Sequence, residues 1–120
     1  MPSRAGHGVP PPDLGDLVPI RCVDCEPRDG GLVTLLRPKF PSGLLGRWLQ
    51  PRLRRPYYRV HLDEIGSAVW EFADGSRTVR EVAAEIERRF GNRVVPALQR
   101  VGTFVRELNR GEMMRLMGPR

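Results

Sequence analysis

Two cysteines and two histidines are all that this 120-residue chain offers for thiol or soft-metal chemistry. A structural zinc site takes about four ligands, and only His7 and His61 are left to help Cys22-Val23-Asp24-Cys25. A redox pair would open a helix, where the N-terminus lowers the thiol pKa. Here Glu26, Pro27 and Asp29-Gly30-Gly31 read as a turn instead. The expectation is two free thiols, with no metal and no cofactor. Long apolar runs are missing too: none approaches the roughly 20 residues of a membrane span. The opening MPSRAGHGVPPPDLGD lacks the apolar segment of a secretory signal, so a cytoplasmic location is expected. No nucleophile–base set, paired-carboxylate site or phosphate loop is visible, which argues against an enzyme. Acids are absent from Pro41 to His61.

What is present suits one domain with one core: 40% hydrophobic and 28% charged residues. The net charge is +6. Residues 1–62 hold ten Arg and Lys against five Asp and Glu, and residues 63–120 hold ten against nine. An acidic partner is implied, whether nucleic acid, anionic lipid or an acidic peptide. Residues 1–16, rich in Gly and Pro, read as a flexible tail ahead of a domain at 17–117.

Within that domain, Leu17–Cys22 reads as a weak strand that Pro19 would confine to a sheet edge. Gly31–Arg37 is a second strand, with residues 27–31 as its hairpin turn. Residues 38–55 form a basic insertion. Its Leu44, Leu45, Trp48 and Leu49 share a helical face that is expected to cover the sheet rather than bind lipid. The clearest strand is Tyr57–Leu62. Tyr58, Val60 and Leu62 alternate on one face, and Tyr57, Arg59 and His61 on the other.

Three helices follow. Asp63 caps the first, whose stripe is Ile65, Ala68, Val69 and Phe72. Asp74-Gly75 makes a turn. Thr78-Val79-Arg80-Glu81 is a capping box opening the second, with Val79, Val82, Ala83, Ile86 and Phe90 inward and Glu85–Arg89 as an i,i+4 pair. Gly91 ends it. Pro96 starts a third helix to about Arg110, with Leu98, Val101, Phe104, Val105 and Leu108 inward. Glu112–Met117 is a short last strand or an apolar tail. The predicted fold is α+β and winged helix-turn-helix-like: a small three-stranded antiparallel sheet, then a three-helix bundle.

Leu62-Asp63-Glu64-Ile65-Gly66-Ser67-Ala68-Val69-Trp70-Glu71, then Asp74-Gly75, Arg77-Thr78-Val79, Glu81-Val82 and finally Phe104-Val105 with Leu108 resemble the PqqD family. Its members include the peptide chaperone of pyrroloquinoline quinone biosynthesis and are also called RiPP recognition elements. The insertion at 38–55 departs from its compact members. The resemblance implies binding rather than catalysis. The leader of a precursor peptide would add to a sheet edge beside the third helix and be delivered to a modifying enzyme, often a radical S-adenosylmethionine enzyme. An exposed strand edge suits an extended peptide on physical grounds as well. Mapped here, the site would be Tyr57, Tyr58, Arg59, Val60 and His61 at the edge, with Arg100, Thr103 and Arg106 on the outer face of the third helix. The alternative is a winged-helix nucleic-acid-binding protein. Against it, the second helix sets Glu81, Glu85 and Glu87 beside Arg80, Arg88 and Arg89, which is no basic recognition face.

Overall fold

A computed structural model of the chain describes residues 13–38 and 57–118. Residues 1–12 of the expected tail and residues 39–55 of the basic insertion, with its expected helical face, lie outside the described residues. The order is β1 (Val18–Arg21), β2 (Asp24–Arg28), β3 (Leu32–Pro38), β4 (Tyr57–His61), α1 (Glu64–Phe72), α2 (Val79–Phe90), α3 (Ala97–Arg110) and β5 (Met114–Met117). The architecture is the expected α+β one, with a three-stranded antiparallel sheet and three helices.

The membership of that sheet differs from expectation. Its strand order is β2-β3-β4, so the segment read as a turn around Glu26 and Pro27 is its third strand. The reversal is made by residues 29–31 alone, because Gly30 (φ 80°) and Gly31 (φ 79°) occupy the left-handed region. Arg28 then lies opposite Leu32 and Asp24 opposite Leu36. Proline is tolerated in β2 because β2 is an edge. The LVPIRC segment joins a different sheet: β1 pairs antiparallel with β5, Val18 opposite Met117 and Arg21 opposite Met114. Residues 14–16, assigned to the tail from sequence, form a 3-10 turn, and Leu14 packs against the core.

The helix ends behave as their sequences require. The Gly66 N–H donates to Asp63 Oδ1 at 2.7 Å. In the capping box, the Glu81 N–H donates to Thr78 Oγ1 at 3.1 Å and the Thr78 N–H to Glu81 Oε1 at 2.8 Å. The expected Glu85–Arg89 pair is replaced. Arg88 takes Glu85 at 2.8 Å, and Arg89 reaches across to Glu71 on α1 at 3.6 Å. Interhelical reach wins because Glu71 lies on the neighbouring helix face.

Leu35, Leu62, Val69, Trp70, Val82, Ile86, Val105 and Leu108 form the core where one sheet face meets the helices, closed below by Met113 and Met114. Ile65, Phe72 and Phe104 sit half-buried at its margin. Leu98, expected inside, is 39% exposed. It lies in the first turn of α3 and borders a surface cavity with Leu14 and Arg80 instead.

Candidate functional site

Strand β4 has β3 on one side and no strand on the other among the described residues. The Leu62 N–H donates to the Val33 carbonyl at 3.0 Å, and this sets the phase of the ladder. In an antiparallel pair, alternate residues direct both backbone groups to the same neighbour. Val60 and Tyr58, opposite Leu35 and Arg37, therefore face β3. Tyr57, Arg59 and His61 turn their N–H and C=O groups outward. The side chains agree. Thr34 and His61 lie opposite each other, with Thr34 Oγ1 and His61 Nδ1 2.8 Å apart, the close approach of a non-hydrogen-bonded pair.

The other edge of the sheet differs. Thr34 and Leu36 face β2, so Glu26 and Asp24 opposite them are the bonded residues. Cys25 and Pro27 point outward. Proline has no N–H, which leaves Cys25 as the one outward donor of β2 against three on β4. Among the described residues the sheet thus has one open edge and one blunted edge.

The start of β3 is pinned to α1, and Arg28 ties it to Leu62 at the end of β4. The Val33 N–H donates to Ser67 Oγ at 3.0 Å. Arg28 donates from Nη2 to the Val33 carbonyl at 3.2 Å and to that of Leu62. Directly beyond lies a cavity of about 520 Å³ between the β4–α1 junction and α3. Asp63, Ile65 and Gly66 line one wall, and Pro96, Gln99, Arg100, Thr103 and Phe104 the other. Gly66 is needed here: a Cβ would stand 3.1 Å from the Phe104 ring and 3.0 Å from Asp63 Oδ1. Its absence lets the ring rest against α1.

The electrostatics of this groove are simple. The Asp63 carboxylate accepts the Gly66 N–H at the positive end of α1, and the Thr103 hydroxyl donates to the Gln99 carbonyl at 3.0 Å. The Arg100 side chain has no hydrogen bond or ion pair among the described residues.

Of the residues expected at the site, Tyr57 and Tyr58 are exposed (42% and 51%), and Arg59 is ion-paired with Glu26 across the sheet. Val60 is half-buried toward the core. Arg100 and Thr103 line the groove. Arg106 does not. It borders a second cavity with Leu14, Arg80 and Leu98, on the other side of Thr103. Sequence reasoning missed Asp63, Ile65, Gly66 and Phe104 as groove residues, because each already had a role as cap or core. The available signal was their position: the first three follow the edge strand directly.

Cys22 and Cys25 are exposed and not bonded to each other. No group of three or more His, Cys, Asp or Glu stands together among the described residues, and no described helix is long and apolar enough to cross a membrane. On the helices, Arg80, Arg88, Arg89 and Arg110 are each ion-paired. A phosphate-binding face relies on cations free to replace counterions; on α3, Arg100 and Arg106 are without an ion pair among the described residues, and two such cations are few for a nucleic-acid face.

Residues 56–113 match the family described as coenzyme PQQ synthesis protein D (PqqD). The matched stretch runs from the start of β4 through all three helices and so contains both walls of the groove. No curated protein matches the chain.

Proposed function

Residues 56–113 belong to the PqqD family, and from this we propose that the chain is a non-catalytic chaperone. It binds the leader of a ribosomally made precursor peptide and presents it to a modifying enzyme of the radical S-adenosylmethionine type. The family carries a peptide-binding, accessory role. The observation that supports it in this chain is the β4 edge, left open among the described residues, with outward backbone groups at Tyr57, Arg59 and His61, and a groove with Arg100 and Thr103 in its far wall that begins at Asp63, just past the strand.

An extended peptide adds to such an edge through main-chain hydrogen bonds, which are indifferent to side-chain identity and let one small domain take varied leaders. Tyr58 and Val60 support the strand from the sheet side. Arg106 enters only for a peptide that continues past Thr103.

Backbone recognition predicts an asymmetry. Arg59→Ala removes an exposed ion pair and leaves the outward N–H, so binding falls only a few-fold. Arg59→Pro removes that N–H, and an edge position tolerates the ring, so binding is abolished while the fold survives. The test is calorimetric titration of both variants with the cognate leader, after circular dichroism confirms that they are folded. Undiminished binding by a folded Arg59→Pro protein would refute the reading.

A further inference from the structure

We infer that the peptide held at this edge is selected by an acidic side chain and a bulky apolar side chain two residues apart, the acid meeting Arg100 and the apolar group meeting Phe104 and Ile65. This rests on the edge-binding reading above and goes beyond it, because it names the chemistry of the peptide.

The overall charge of +6 suggests a generally acidic ligand, but the side-chain pairings narrow the choice. Arg59 is held by Glu26, and Arg93 by Glu64 at 3.1 Å. Arg106 borders the other cavity. Asp63, the acid in the groove wall, is engaged by the Gly66 N–H. Arg100 is therefore the groove cation without a partner among the described residues. A carboxylate brought to it gains a charge-assisted hydrogen bond.

One helical turn along α3 stands Phe104, half-buried, its ring against Gly66, with Ile65 on the facing wall. These two leave apolar surface at the cavity that an inserted side chain would remove from water. The spacing matches the ligand as well. Four residues of helix rise about 6 Å, and alternate side chains on one face of a strand recur about every 6.6 Å. A strand lying along α3 thus meets Arg100 with one side chain and Phe104 with the next on the same face. The side chain between them points away from the groove, so its identity is not read.

The experiment is selection from a random dodecapeptide display library on the intact protein, on Arg100→Glu and on Arg59→Pro, each verified as folded. The wild-type pool should be enriched roughly tenfold in an acid two residues from an aromatic or large aliphatic residue. The Arg100→Glu pool should exchange the acid for Lys or Arg at the same spacing. Apolar enrichment without the acid, or an acid preference that persists in Arg100→Glu, overturns the inference. The Arg59→Pro arm separates the two readings. If that variant loses the wild-type pool while no acid preference exists, edge binding stands and the inference falls. If it keeps the pool, edge binding itself falls. A library from which nothing is enriched overturns both.

Discussion

Phe104 serves both the fold and the groove: its ring lies against Gly66 and lines the cavity beside Arg100. Because it is half-buried, truncation should cost less than the roughly 3–5 kcal/mol of a fully buried phenylalanine. Phe104→Ala is expected to lose about 2 kcal/mol in urea denaturation, less than Ile86→Ala, whose side chain is fully buried. Asp74 gives the clearest pH effect. The Ser76 hydroxyl, donating at 2.6 Å, and then the Ser76 N–H at 3.0 Å hold its carboxyl below the ordinary value of 3.8, with Arg77 adding to them. A carboxyl lowered in the folded state favours folding at neutral pH. That contribution is lost as acid protonates the group, at and below its ordinary value. Asp74→Asn should therefore be less stable than the parent at pH 7, with the difference narrowing in strong acid. Denaturant midpoints measured across that range check it.

Strand β4 is where an element's geometry decides accessibility. The ladder phase predicts that the Tyr58 and Val60 amides exchange slowly with solvent and that those of Tyr57, Arg59 and His61 exchange fast. NMR hydrogen exchange reads this directly, and slow exchange at Arg59 in the free protein would contradict the phase. On β2 the outward proline does the opposite work, removing a backbone donor that another chain could pair with. Helix α2 depends on its N-terminal box. Thr78→Ala should cost about 1 kcal/mol by freeing the Glu81 N–H, visible as a lower thermal midpoint.

Across the whole molecule, β1 and β5 close the two ends of the described chain on each other. The Val79 N–H bonds the Leu17 carbonyl at 2.8 Å, and Ile20 bridges to Asp74, so this clasp also fastens the α1–α2 turn. Met114, 1% exposed, is its apolar rivet. Met114→Ala should cost about 3 kcal/mol, measured by equilibrium denaturation. The many surface ion pairs contribute little to stability by comparison, each worth at most about 1 kcal/mol. Their effect is to cancel positive charge on the helices.

Much of this could be read from local sequence, for a physical reason. Alternation at 57–62, the caps at Asp63 and Thr78 and the stripe of Val79, Val82 and Ile86 depend on neighbours within a few residues. The edge strand and the three helices follow from them. The partner of β1 did not, since Val18 meets Met117 only after the helices have brought the ends together. Nor did the strand character of Asp24–Arg28, where proline and acids mask a segment whose extension is imposed by pairing with β3. The groove belongs to the same class. Arg100 and Thr103 were legible as outer positions of a helix. Their union with Ile65 and Gly66, and the separation of Arg106 from them, depends on how α3 packs across α1. Local periodicity specifies which face a side chain takes, and only tertiary packing decides what that face meets.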